Sequence, residues 1–133
     1  MVKRTISEYL KSCVKEYFSV CVFGPRQCGK TTLVKNLFPE YSYSNLEDMN
    51  TRVLAKEDPD EFFTRFPEPV IIDEIQRVPE LLSTVQVRID KFKKKGQYII
   101  TGSQQIPLKN TVSQSLAGRV AVIQMQPFSL EEL

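Results

Sequence analysis

Gly24-Pro25-Arg26-Gln27-Cys28-Gly29-Lys30-Thr31 decides the reading of this chain. The stretch has the form G-x-x-x-x-G-K-T, a glycine loop that cradles phosphates. Its flanks agree with it. Ser19-Val20-Cys21-Val22-Phe23 precedes it as an apolar run suited to a buried strand near 18–23, and Thr32-Leu33-Val34-Lys35-Asn36-Leu37-Phe38 follows with helical spacing. Glycines at 24 and 29 let the backbone turn sharply and approach an anion, so that successive N–H groups converge on one concavity. The helix starting near Lys30 adds the positive end of its dipole. In this reading Gly24, Pro25, Arg26, Gln27, Cys28, Gly29, Lys30, Thr31 and Thr32 form the loop that binds the phosphates of a nucleotide. Lys30 reaches the β- and γ-phosphates, and the Thr31 hydroxyl is a ligand for Mg²⁺, which prefers oxygen. The plainer alternative is a glycine turn before a helix that happens to carry Lys-Thr.

Outward from the loop, strands alternate with helices. Val2, Ile6, Leu10, Cys13 and Tyr17 recur at spacings of three and four, which predicts an N-terminal helix over 2–17 with one apolar face. The loop helix ends before Pro39. Tyr41 to Leu46 reads as a second strand. Residues 47–66 are polar and helical in pattern, broken at Asp58-Pro59, where Asp58 suits an N-cap and Pro59 the first turn. Val70-Ile71-Ile72 is a β-branched run for a fully buried strand. Pro79 to Lys95 predicts a helix with Leu81, Leu82, Val85, Ile89 and Phe92 on its apolar face and Gly96 as its stop. Tyr98-Ile99-Ile100-Thr101 and Val120-Ala121-Val122-Ile123 are two further strands. This alternation implies an α/β fold with a parallel sheet covered on both faces, binding its ligand at the carboxyl ends of the strands.

Composition bounds the function. The 133 residues are 41% hydrophobic and carry a net charge of +2, which suits one globular domain and makes no strong case for nucleic acid or an anionic membrane. No apolar stretch is long enough to span a bilayer, and the basic N-terminus lacks the apolar core of a secretory signal. Three cysteines without zinc-type spacing point to free thiols and a cytoplasmic location, with Cys13 and Cys21 as small core hydrophobes. There is no histidine, so histidine catalysis and histidine metal ligation are excluded. Cys28 among converging amides is either a thiol of lowered pKa, open to redox control, or a small side chain at a permissive position. Lys91, Lys93, Lys94 and Lys95 read as a solvated cap that complements the helix dipole, with a partner or nucleic-acid patch as the alternative.

Three further constellations fall after strands or before the last one. Val70-Ile71-Ile72-Asp73-Glu74 resembles the Walker B motif of P-loop ATPases. There Asp73 would hold Mg²⁺ directly or through water, and Glu74 would polarise the attacking water. Ile99-Ile100-Thr101-Gly102-Ser103 ends a buried strand in small hydroxyls. Ser103 is the first choice, and Thr101 the second, for a polar sensor of the γ-phosphate or of the water; a turn or N-cap serine is the alternative. Arg119 in Ser115-Leu116-Ala117-Gly118-Arg119-Val120 is either an arginine finger that completes a neighbour's site or a fold-stabilising arginine. Arg26 is a weaker candidate and reads as structural.

Taken together, GPRQCGKTTLVKNLFP, VIIDEIQRVPELL, YIITGSQQ and SLAGRVAVIQMQPFSLEEL resemble the prokaryotic AAA+-like ATPases related to the archaeal ATPase and STAND groups. The resemblance covers nearly the whole chain. It implies a three-layer P-loop NTPase fold of the additional-strand class, with a central parallel sheet of five strands. It also implies ATP and Mg²⁺ as ligands, with Glu74, Lys30, Ser103 and Arg119 as catalytic residues and Thr31 and Asp73 at the metal. Members of that group continue past the point where this chain ends, with a helical or winged-helix portion and a further domain. The expectation is therefore an ATPase core over 1–133 without its lid.

The leading functional expectation is Mg²⁺-ATP binding with slow hydrolysis, by a chain that pairs with itself or a partner through Arg119. The alternative is a non-hydrolysing nucleotide switch completed by other domains. A small-molecule kinase would need an acceptor pocket and usually an arginine-rich lid, neither of which is clear in the sequence, and a GTPase would need the Asn-Lys-x-Asp guanine motif, which does not occur. A nucleic-acid role rests on family analogy.

Overall fold

The computed structural model describes residues 6–25, 29–103, 112, 114 and 116–125. In chain order the elements are α1 (Ile6–Glu16), β1 (Ser19–Phe23), α2 (Lys30–Leu37), β2 (Ser42–Asn45), α3 (Met49–Glu57), α4 (Pro59–Arg65) and β3 (Val70–Asp73). A single 3-10 turn (Ile75–Arg77), α5 (Leu81–Phe92), β4 (Tyr98–Gly102) and β5 (Val120–Gln124) follow. The five strands form one sheet in the order β2-β3-β4-β1-β5, every pair parallel. β4 is thus inserted between the loop strand β1 and the acidic strand β3, the arrangement of the additional-strand class. The fold is the α/β P-loop NTPase fold with a central five-stranded parallel sheet.

Period-two alternation distributes the strand side chains between two cores. Val20, Val22, Ile71 and Ile99 face a core closed by Leu10 and Cys13 of α1 and by Leu33 and Val34 of α2. Cys21, Phe23, Val70, Ile72, Tyr98 and Ile100 face the other, closed by Ala55 of α3, Phe62 and Phe63 of α4, and Leu81, Leu82, Val85 and Ile89 of α5. β1, β3 and β4 are buried throughout, which is why their sequences read as continuous apolar runs. Each fully buried aliphatic side chain contributes about 1.5–3 kcal/mol relative to exposure. Cys13 and Cys21 are core residues as their sequence context suggests, and burial pushes the Cys21 thiol far above its ordinary value. Asp58 caps α4 by accepting from the Glu61 N–H at 3.2 Å, with Pro59 in its first turn.

Three expectations change. Tyr17 lies beyond α1 and is exposed, so the buried α1 face is Leu10 and Cys13, with Ile6 half-buried. Phe92 is 49% exposed; its ring lies against the Arg88 guanidinium and the Lys91 ammonium instead of entering the core. The stop of α5 is Lys93, left-handed at φ 54°, whose N–H returns to the Ile89 carbonyl at 2.8 Å. Gly96 serves another purpose: a Cβ there would stand 2.5 Å from the Val14 carbonyl oxygen.

Candidate functional site

The carboxyl ends of β1, β3 and β4 meet at one edge of the sheet, and the glycine loop rises from it. The Gly24 N–H donates to the Gly102 carbonyl at 3.2 Å, tying the start of the loop to the end of β4. Gly29 caps α2 in the left-handed region at φ 84°, a conformation glycine adopts without a Cβ clash. It brings no side-chain acceptor to the first amides of α2, which leaves them available to an anion. Arg26, Gln27 and Cys28 lie outside the described residues. Thr32 is exposed on the first turn of α2.

Lys30 is 1% exposed, unusual for a lysine, and its ammonium has two polar neighbours among the described residues. It donates to the Pro25 carbonyl at 3.3 Å and lies 3.8 Å from Glu74 Oε2. A buried ammonium beside the first turn of α2 is a ready partner for phosphate oxygens.

Asp73 ends β3 with a buried carboxylate that accepts from three hydroxyls. Thr31 Oγ1 lies 3.1 Å from Oδ1 and 3.0 Å from Oδ2, Tyr43 Oη donates to Oδ2 at 2.5 Å, and Thr101 Oγ1 donates to Oδ1. Strand parity explains the convergence. Asp73 shares its face of β3 with Ile71, Thr101 shares its face of β4 with Ile99, and α2 packs on that side. Burial, the bond to Asp73 and the negative charges of Asp73, Glu74 and Glu47 push the Tyr43 phenol well above its ordinary value. It therefore stays a donor at neutral and mildly alkaline pH.

Glu74 follows directly and adopts the left-handed conformation at φ 66° and ψ 56°. A non-glycine residue there costs on the order of 1–3 kcal/mol and persists only where its surroundings fix it. Here the Glu74 N–H donates to Thr101 Oγ1 at 3.0 Å, and Gln76 Nε2 donates to Glu74 Oε1 at 2.6 Å. The Thr101 hydroxyl thus holds both carboxylate residues, its proton given to Asp73 and a lone pair to Glu74. That occupies the second-choice sensor. The first choice, Ser103, has a buried Oγ with no partner among the described residues, and its N–H donates to Gln76 Oε1 at 3.1 Å. A buried hydroxyl without a partner is costly, so it marks a position suited to a ligand oxygen or water.

Lys30, Thr31, Asp73, Glu74 and Ser103 are thereby grouped at one edge. Arg119 is not with them. It precedes β5, whose first residue Val120 is in register with Ser19, so it stands at the amino end of the sheet. Five residues of strand at about 3.3 Å each separate the two ends. Its guanidinium is engaged by Asp90 of α5 at 2.8 and 3.1 Å and by the Ala117 carbonyl at 2.8 Å. These bonds tie the turn before β5 to α5 within the chain. The bonds from Arg119 hold the Asp90 carboxyl below its ordinary range.

Tyr43 and Gln76 escape a reading of the sequence. Tyr43 sits in an alternating Tyr-Ser-Tyr-Ser run whose orientation depends on which strand β2 joins. Gln76 lies in the DEIQ continuation, which suggests a motif without saying what the glutamine touches.

The oxygen donors of Thr31 and Asp73 suit a hard cation such as Mg²⁺ that keeps most of its waters and shares phosphate oxygens. Among the described residues no cluster of three or more His, Cys, Asp or Glu could hold a metal by itself.

Comparison with known proteins agrees with this fold. A family profile described as AAA domain matches residues 16–133. An uncharacterized protein of Mycobacterium tuberculosis (strain ATCC 25618 / H37Rv) and one of Mycobacterium bovis (strain ATCC BAA-935 / AF2122/97) are each 32% identical to this chain over 117 residues. The matched region is 86% of this chain and 26% of each relative, so the chain spans about a quarter of their length. A Signal Transduction ATPase with Numerous Domains (STAND) protein with a tetratricopeptide repeat sensor, from Pyrococcus horikoshii, is similar in fold. Its TM-score is 0.50 at 18% identity, covering 94% of this chain and 23% of that one. The profile match over most of the length, on a sheet with its extra strand between β1 and β3, places the chain in the AAA domain family of P-loop ATPases.

Proposed function

We propose that residues 1–133 act as an ATPase core that binds Mg²⁺-ATP and hydrolyses it to ADP and phosphate. The observation that carries this reading is the meeting of two motifs far apart in sequence. Thr31 of the glycine loop bonds both carboxylate oxygens of Asp73, while Lys30 lies 3.8 Å from Glu74. Ordinary surface turns have no reason to bring a buried lysine and two buried carboxylates to one strand edge.

The roles follow from the chemistry. The amides from Gly24 to Thr32 and the Lys30 ammonium bind the phosphates. Thr31 and Asp73 hold the cation, and when bound Mg²⁺ neutralises charge on the phosphate oxygens. Glu74 accepts a hydrogen bond from the attacking water and orients it. Ser103 directs its otherwise orphaned hydroxyl to the γ-phosphate or to that water. In phosphoryl transfer, positioning and charge stabilisation do most of the work, and these residues supply both. Arg119, which Asp90 engages at the far end of the sheet, does not act on this chain's own nucleotide in this reading. Among the described residues no helix is long and apolar enough to cross a membrane.

Titration with ATP and GTP in the presence of Mg²⁺, followed by phosphate release, tests the proposal in wild type, Lys30→Ala and Glu74→Gln. The expected pattern is ATP binding lost in Lys30→Ala, and hydrolysis but not binding lost in Glu74→Gln. Binding without phosphate release in the wild type would make the chain a nucleotide-dependent module instead. Absence of binding would overturn the reading of the loop.

A further inference from the structure

The amide of Gln76 lies between two groups of the site and bonds both. Its Nε2 donates to Glu74 Oε1 at 2.6 Å, and its Oε1 accepts the Ser103 N–H at 3.1 Å. The orientation is forced by polarity. An ionised carboxylate only accepts, a backbone N–H only donates, and of the common side chains a carboxamide offers one donor and one acceptor across a fixed plane. Glutamate at this position would repel Glu74, and leucine would bond neither partner.

The segment that carries Gln76 is itself held. Glu74 is left-handed, which turns the chain so that the side chain two residues on doubles back over the Glu74 carboxylate. Ile75 is fully buried in the core beside β3 and β4, and Arg77 pairs with Glu47 at 3.4 Å. The Gln76 carboxamide therefore projects from a turn anchored on both sides. Its bond leaves Glu74 Oε2 facing the Lys30 ammonium at 3.8 Å.

We propose that Gln76 is a positioning residue for hydrolysis: it aims the Glu74 carboxylate and couples that aim to the end of β4 at Ser103. The inference rests on the ATPase reading above and adds a regulatory consequence. Ser103 is the residue whose hydroxyl is left for the γ-phosphate or the attacking water, and its own backbone N–H is tied to Gln76. A shift of Ser103 on engaging a phosphate oxygen is transmitted through one carboxamide to the group that orients the water. Gln76 touches neither substrate nor cation in this scheme.

The test compares Gln76→Leu and the isosteric Gln76→Glu with wild type. Both variants are expected to bind ATP within about twofold of wild type while kcat falls about 10- to 100-fold, the scale of loss when a reacting group is misplaced by about 1 Å. A residue that merely fills space would be replaced by either variant with little change in kcat, and that result overturns the proposal. Single-turnover rates in a Glu74→Gln background separate action through Glu74 from independent action. Adding Gln76→Leu there should cause no further loss, whereas an additive loss overturns the coupling. A turnover-independent measurement guards against failure of the ATPase reading. In Gln76→Leu the Glu74 side-chain carboxyl resonance should move and amide exchange at Ser103 should quicken. Both unchanged would overturn the bridge. A wild-type chain that releases no phosphate, yet shows these two changes, would remove the ATPase reading and leave the bridge standing.

Discussion

The Tyr43 hydroxyl donates to Asp73 Oδ2 across 2.5 Å, joining the edge strand β2 to the acidic end of β3. In register, Tyr43 opposes Ile71 and Asn45 opposes Asp73, so the phenol reaches diagonally to the next residue on its face. The Lys35 ammonium of α2 sits over the ring, 4.2 Å from its centroid. Tyr43→Phe keeps the ring and this contact but removes one of three donors on Asp73. The Mg²⁺ concentration needed for half-maximal ATP binding is expected to rise about tenfold, as for other groups that orient a metal ligand. Titrating ATP binding against Mg²⁺ checks this; an unchanged midpoint would mean that Thr31 and Thr101 suffice.

Thr101 and Ser103, two residues apart, should behave oppositely. Thr101→Val is close in shape but takes a donor from Asp73 and strands the Glu74 N–H in a buried site, at a cost of about 1–3 kcal/mol. Ser103→Ala removes a hydroxyl that no group among the described residues uses, so stability should stay within about 0.5 kcal/mol of wild type while phosphate release drops. Urea melts beside a phosphate-release assay distinguish the two. Equal destabilisation would show that Ser103 Oγ has a structural role after all.

Much of this arrangement can be read from the chain, and the limits have physical causes. The glycine loop, the buried runs of β1, β3 and β4 and the Asp58-Pro59 break are local signals, and local rules find them. The extra strand follows from the family resemblance, since no single-chain pattern states that β4 lies between β1 and β3. Tyr43 needs that order and the register as well, because a one-residue slip would turn the phenol to the other face. The Asp90 partner of Arg119 is not legible because the two are distant in sequence, and only packing of α5 against the start of β5 brings them together. Phe92 fits the helical period of α5 but falls past its last buried turn.

Two positions near the end of α5 should respond with opposite signs. Lys93 is exposed and left-handed, so Lys93→Gly relieves a steric penalty while keeping the N–H bond to Ile89, and should stabilise by about 0.5–1 kcal/mol. Gly96→Ala meets the Val14 carbonyl at 2.5 Å on a backbone with φ +70° and should destabilise by about 2 kcal/mol or more. Both sites lie away from the nucleotide loop, so ATP affinity should not change. Denaturant midpoints compared at constant slope test the pair. A stabilising alanine at 96 would show that α1 can shift to admit it.

The carboxylate of Glu68 gives the chain a specific acid sensitivity. Burial alone would raise its pKa, but bonds from Arg88 at 2.5 and 3.1 Å and from Tyr98 at 2.5 Å outweigh this and hold it below its ordinary value of 4.5. The Arg88 guanidinium is also stacked 4.6 Å from the Phe63 ring centroid, which fixes the donor side of the pair. Because the folded state releases this proton more readily than the unfolded one, ionised Glu68 contributes its full stability above the ordinary value. That contribution disappears as pH falls through the lower folded value. Glu68→Gln should therefore cost about 1–3 kcal/mol near neutral pH, and the gap to wild type should narrow as the pH falls below the ordinary carboxyl value and through the lower folded one. Urea unfolding of both proteins across the acid range measures it. A gap independent of pH would mean that the loss came from shape and packing, with the charge on Glu68 contributing nothing.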